Sequence, residues 1–173
     1  MVSISRGRFT DRTEEPVVVF LIGMRINKLW ALGRWVPAFL AMSKMLSSLK
    51  ADPAKGFLGG RTFVHWRGIM MVQYWRSFED LEGFARAESE PHIGSWRKYN
   101  KAVGSDGTVG VWHETYLVRP SDHESVYVNM PEFGLAEATD HVPAVRSRET
   151  ARMRLGGSNA PAVDLRQHAK GAG

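Results

Sequence analysis

Between Pro16 and Asn129 the spacing of apolar residues changes period in a fixed order, and that order leaves few folds open. The run from Pro16 to Asn27 (Pro-Val-Val-Val-Phe-Leu-Ile-Gly-Met-Arg-Ile-Asn) is rich in β-branched residues and reads as a buried strand. The period then becomes helical, with Trp35, Phe39, Met42, Leu46 and Leu49 recurring at three- and four-residue spacing. Pro37 fits the first turn of that helix, where a missing N–H costs nothing. Asp52-Pro53 closes it, and the glycines at 56, 59 and 60 mark a turn. Phe57 to Trp66 and Ile69 to Trp75 make two strands around a tight connection at Arg67-Gly68. Ser77 then caps a second helix, with Asp80 three residues on and Phe78, Leu81, Phe84 and Ala85 as its apolar stripe. Pro91 restarts the helix, and His92, Trp96 and Tyr99 share a face. Thr108 to Val118 alternates, with Val109, Val111, His113, Thr115 and Leu117 on one side and Gly110, Trp112, Glu114, Tyr116 and Val118 on the other. A last short strand runs from Glu124 to Asn129.

The order β-α-β-β-α-β with an extra C-terminal strand predicts an α+β, ferredoxin-like domain, its helices packed on one face of an antiparallel sheet. Such a sheet leaves its other face bare. Two copies meeting through that face, with the last strand swapped across, would cover it and its edges, so a homodimer forming a dimeric α/β barrel is expected. Residues 1–15 are polar and aperiodic and read as a flexible N-terminal arm. The domain is taken as residues 16–136. Residues 137–173 lose periodicity, gain Arg, Gly, Ser and Pro, and read as a weakly ordered tail.

Composition excludes several functions. There are no cysteines, hence no disulfide, thiolate metal site, cysteine nucleophile or cysteine-ligated haem. The net charge of +5 is spread along the chain and partly in the tail, which reads as a solvated basic surface rather than a nucleic-acid footprint. The apolar run Val17 to Ile22 is far shorter than the roughly 20 residues a membrane span needs. The charged N-terminus lacks a signal peptide's apolar region, so the expected compartment is cytoplasmic. No glycine-rich dinucleotide or phosphate-loop fingerprint and no nucleophile elbow is present, and NAD- or ATP-dependent chemistry has no support.

Four segments occur in an unusual combination: Gly23-Met-Arg-Ile-Asn27, Gln73-Tyr-Trp-Arg-Ser-Phe78, Val109-Gly-Val-Trp-His-Glu-Thr-Tyr116 and Val126-Tyr-Val-Asn-Met-Pro131. Together they resemble the bacterial and fungal family grouped with a fumagillin-pathway monooxygenase, in the dimeric α/β-barrel superfamily beside the antibiotic-biosynthesis monooxygenases. The resemblance runs from about residue 16 to residue 136. It implies a pocket between the sheet and helices of each protomer. Superfamily relatives include cofactor-free oxygenases, haem degraders, haem-dependent dehydratases and non-enzymes, so the fold alone does not choose an activity.

The candidate residues follow from that pocket. His113, flanked by Val109 and Val111, is expected to face the core or pocket, where a neutral imidazole suits a general base deprotonating a phenol or enol, or else serves as a hydrogen-bonded core histidine. Glu114 points to the opposite face. Arg25 interrupts an apolar strand and, if buried, needs a partner such as Glu114 or a bound anion. The resemblance to haem-degrading relatives makes His92 a candidate axial ligand, with Trp75 and Asn27 shaping the distal side; a capping or surface histidine is the alternative. Tyr74, Arg76, Trp96 and Tyr116 are further substrate-binding candidates. Tyr127 and Asn129 share a face of the last strand and either reach across the dimer or hold the swap in register. Six tryptophans, eight phenylalanines and eight methionines suit a core or a cavity for a flat apolar metabolite. Three readings stay open: a small monooxygenase, possible without a cofactor; a haem oxygenase or aldoxime-type dehydratase; and a non-catalytic barrel holding a hydrophobic ligand.

Overall fold

The computed structural model describes residues 3–87 and 107–162. They belong to two compact units, one of Pro16–Val118 and one of Met1–Glu15 with Arg119–Gly173. In chain order the main elements are β1 (Ser5–Arg12), β2 (Val17–Ile26), α1 (Leu32–Lys50), β3 (Phe57–His65), β4 (Gly68–Trp75), α2 (Phe78–Arg86), β5 (Val109–Val118), β6 (Tyr127–Met130) and β7 (Asp140–Pro143). No described helix is long and apolar enough to cross a membrane.

The Pro16–Val118 unit carries a four-stranded sheet in the order β3-β4-β2-β5, every neighbouring pair antiparallel. Register sorts its side chains into two faces. Val18, Phe20, Ile22 and Met24 pair with Trp75, Gln73, Met71 and Ile69 on β4 and with Leu117, Thr115, His113 and Val111 on β5. This face meets the helices. Leu49 of α1 and Leu81 and Phe84 of α2 bury themselves with Val18 and Trp75 at one end. Trp35 and Phe39 of α1 pack on Met24, Ile26, Ile69 and Val109 at the other. Each fully buried side chain of this kind contributes about 1.5–3 kcal/mol. The helical stripe read from the sequence thus holds at Trp35, Phe39 and Leu49. The helix starts earlier than expected, however, so Pro37 lies inside it rather than in its first turn.

Local chemistry places α2. Ser77 Oγ accepts from the Asp80 N–H at 3.1 Å, the expected cap. Arg76 donates to both Asp80 oxygens, at 2.9 and 3.0 Å, and its N–H bonds the Gly56 carbonyl. Gly56 has φ +73°, and a Cβ there would stand 2.3 Å from Asp80 Oδ2, so only glycine fits.

The second unit corrects the expected tails. The described part of the expected N-terminal arm is not loose: β1, Ser5–Arg12, is the central strand of a sheet ordered β6-β1-β7. The tail beyond residue 137 contributes β7, a 3-10 turn at Arg146–Arg148 and a short helix at Ala151–Arg154. The strand expected to swap across a dimer, β6, is held in its own chain, with Phe9 opposite Tyr127 and Arg8 opposite Val128. Buried Asp11 has both carboxylate oxygens matched, whereas His141 Nε2 is buried with no hydrogen-bond partner among the described residues. Asp11 takes the Ser125 hydroxyl at 2.7 Å and His123 Nε2 at 2.8 Å, while His123 Nδ1 lies 2.9 Å from the Arg119 carbonyl oxygen. The adjacent pair Asp140-His141 points apart as strand geometry requires: Asp140 pairs with Arg12, and His141 stacks on Phe9 at 4.4 Å.

Candidate functional site

The two apolar clusters occupy the ends of the helix-covered face and leave its middle to a different set of residues. There Met71 and Gln73 of β4 lie beside Ile22 and Phe20 of β2, which in turn lie beside His113 and Thr115 of β5. Gln73 is 1% exposed. Its Oε1 accepts the Trp75 indole N–H at 3.0 Å. An indole nitrogen only donates, so that bond fixes which way the amide faces. Gln73 Nε2 is buried and finds no acceptor among the described residues. A buried unmet donor costs about 1–3 kcal/mol, so the molecule holds an unspent hydrogen-bonding group in the centre of this face.

His113 lies on this face as expected, but it is exposed rather than buried, with its ring 5.7 Å from that of Phe20. It lies across β2 from Met71, while Thr115 lies across β2 from Gln73, so His113 is offset from the amide by one inward position along the sheet.

Glu114 is on the opposite face, which carries no helix among the described residues, and accepts the Tyr116 hydroxyl at 2.5 Å. The hydrogen bond to Glu114, its negative charge and partial burial all hold the Tyr116 phenol above its usual pKa, which makes it a donor and not a base. Tyr74 and Arg25 fall on that same face. Arg25 is exposed, opposite Gly68 and Gly110, and the buried charge considered from the sequence does not arise.

Several other candidates are structural. Trp75 is 0% exposed, packed edge-on by Phe57 and against Phe84, so it is core rather than pocket wall. Asn27 donates to the Gly107 carbonyl at 3.0 Å, its N–H bonds Thr108, and its carbonyl accepts from Arg67. It ties the end of β2 to the start of β5. These commitments do not fit Trp75 and Asn27 to the distal side of a haem. Arg76 is spent on the Asp80 carboxylate. Tyr127 and Asn129 sit in the other unit: the Tyr127 hydroxyl accepts from the Ala136 N–H, and Asn129 Oδ1 accepts from the Gly7 N–H at 2.9 Å. Both hold β6 within its own chain. His92 and Trp96 lie outside the described residues. Among the described residues no group of three or more His, Asp or Glu side chains could hold a metal ion.

Sequence reasoning missed Gln73. The available signal was a glutamine at an inward position between Met71 and Trp75, in a strand otherwise apolar on that side.

The chain is 31% identical over 151 residues to the Aspergillus fumigatus protein Monooxygenase af470, an alignment covering 75% of this chain and 53% of that protein. The chain therefore spans about half the length of this curated relative. Among solved structures it is similar to SnoaB, a cofactor-independent oxygenase from Streptomyces nogalater, at 11% identity and TM-score 0.41, covering 60% of this chain and 93% of SnoaB. A Chloroflexus aurantiacus protein described as an antibiotic biosynthesis monooxygenase matches at 14% identity and TM-score 0.40, covering 59% of this chain and 93% of that one. The family model described as Monooxygenase af470-like matches residues 17–135, more than half of the sequence, and the chain belongs to that family.

Proposed function

We propose that this protein is a small monooxygenase that takes an apolar, enolisable substrate onto the helix-covered face of the β3-β4-β2-β5 sheet. Carrying the relative's activity to a chain of half its length is part of the proposal. The single observation behind the siting is Gln73 Nε2, a buried amide donor oriented by Trp75 and without an acceptor among the described residues. A substrate carbonyl or enolate oxygen would satisfy it, and a fixed donor in an apolar setting is worth most where negative charge develops. His113, exposed on the next strand but one, would take the proton from the enol or phenol.

In the cofactor-free form of the reaction the deprotonated substrate itself reduces dioxygen. A methylene carbon forms a hydroperoxide, which collapses to a carbonyl and one water, so that one oxygen atom enters the substrate and the other leaves as water. The protein supplies the base, the amide donor and exclusion of water. For assembly we propose a homodimer through the face that carries no described helix, where Phe63, Tyr116 and Val118 are among the partly or fully exposed apolar residues. The swapped strand is not part of this proposal, because β6 is paired within the chain.

The test is oxygen uptake by the purified protein with anthrone, a flat enolisable ketone, alongside an absorption spectrum after expression with haem precursor. Uptake matched by quinone formation, with no Soret band, is the expected result, and Gln73→Leu and His113→Ala should each lower kcat. A stoichiometric Soret band lost in His92→Ala would replace this reading with the haem one. Saturable binding of anthrone without oxygen uptake would leave a ligand-binding barrel.

A further inference from the structure

The second unit holds a feature with no part in the chemistry above. A cavity of about 290 Å³ opens between the end of β1, the segment after β5 and the Arg146–Arg154 region. Three arginines line it, Arg12, Arg148 and Arg154, against two carboxylates, Asp11 and Glu124, before His123 is counted.

What decides its chemistry is which groups are already committed. Both Asp11 oxygens are taken, one by Ser125 and one by His123. Glu124 Oε2 receives two N–H donors of Arg154, whose side chain is only 6% exposed. Arg154 is pinned further by the Arg148 carbonyl at 2.8 Å. The two His123 nitrogens both face acceptors, the Asp11 carboxylate and the Arg119 carbonyl, so the ring is held with a proton on each. The uncommitted groups are mostly donors. The Arg148 guanidinium and the Ser147 hydroxyl make no hydrogen bond or ion pair among the described residues. Arg12 spends Nε and Nη2 on Asp140, leaving Nη1. Arginine forks recognise oxyanions with two parallel bonds, and a partly enclosed site strengthens them.

We infer that this cavity is a binding site for a small oxyanion, a carboxylate or phosphate group, seated on Arg148 with Ser147 and Arg12 as further donors. The half-buried Asp11–His123 pair and the more exposed Arg154–Glu124 pair form its wall. The site lies wholly within the second unit, so its occupancy does not depend on the monooxygenase reading.

Isothermal titration of the full-length chain with inorganic phosphate, and separately with malonate, tests this, with sodium chloride at matched ionic strength as the control. Saturable heat with at least one oxyanion is expected, weakened about tenfold or more in Arg148→Gln, in line with loss of a charged hydrogen bond. Arg148→Lys should retain part of it. Phosphate alone would point to a phosphorylated ligand, malonate alone to a carboxylate, and both to recognition of the oxyanion itself. No saturable heat, heat matched by chloride, or binding unchanged in Arg148→Gln would overturn the site. A circular dichroism melt of each variant separates lost binding from lost folding.

Discussion

Gln73 and Trp75 are two residues apart on one strand, share a hydrogen bond, and should respond very unequally to apolar substitution. Trp75→Ala empties the centre of an apolar cluster and should cost about 3–5 kcal/mol in urea unfolding. Gln73→Leu deprives the indole of its acceptor but also removes the orphaned amide donors and adds apolar contact. The opposing terms should leave a net change within about 1–2 kcal/mol. A Gln73→Leu cost as large as that of Trp75→Ala would make the amide a structural linchpin and remove the case for a reserved donor. Titration singles out a different residue, His123. Burial opposes its charge, yet the hydrogen bonds to Asp11 and to the Arg119 carbonyl, with the charges of Asp11 and Asp122, outweigh burial and raise its pKa. A raised folded value means that stabilisation is fully present below the unfolded value, about 6.5, and is lost as pH rises through the folded one. Unfolding free energy measured across that range should therefore fall with pH in the wild type, and more shallowly in His123→Gln. Equal slopes would show that the pair contributes nothing to the pH dependence.

At the scale of elements, α2 and its approach turn form a tightly specified corner. A methyl group at residue 56 would need the left-handed backbone and would collide with Asp80, which already bonds Arg76 and donates its N–H to the Ser77 cap. Gly56→Ala should destabilise by about 1–3 kcal/mol in denaturant unfolding, whereas the exposed Arg76→Ala should cost less than about 1 kcal/mol. A silent Gly56→Ala would mean that the corner relaxes freely. Asp80 itself is held below the usual carboxylate range, first by the Arg76 hydrogen bond and then by Ser77, against the effect of burial. This corner was legible in the sequence because caps and turn glycines are local signals. The alternation of Val109–Val118 was equally legible, and it placed His113 and Glu114 on opposite faces. Two of the distinctive motifs prove to be cross-strand partners: Gly23 lies opposite Trp112, whose ring fills the space where a Cβ would stand. β1 and β7 were not legible. Ser5–Arg12 carries four charged residues, Asp140–Pro143 is too short to show a period, and their partners lie more than a hundred residues away. His113's exposure escaped notice for a related reason. Alternation reports the face a residue takes, while burial depends on what else covers that part of the face.

On the scale of the whole chain, the N-terminal strand closes a loop that no local signal announces. β1 is the only strand that β6 and β7 share among the described pairings, and the buried Asp11 at its end organises His123 and Ser125. Removing residues 1–15 would leave two four-residue strands with no strand between them, far below what an isolated sheet needs to persist. The Pro16–Val118 unit, by contrast, keeps all of its strand pairings and both apolar clusters within itself. Amide hydrogen exchange on a chain lacking residues 1–15 should therefore show protection lost across residues 119–154 and retained in β2, β4 and β5. If exchange instead accelerates throughout, the two units fold as one cooperative body, and the N-terminal strand is a condition for the covered face and its glutamine as much as for its own sheet.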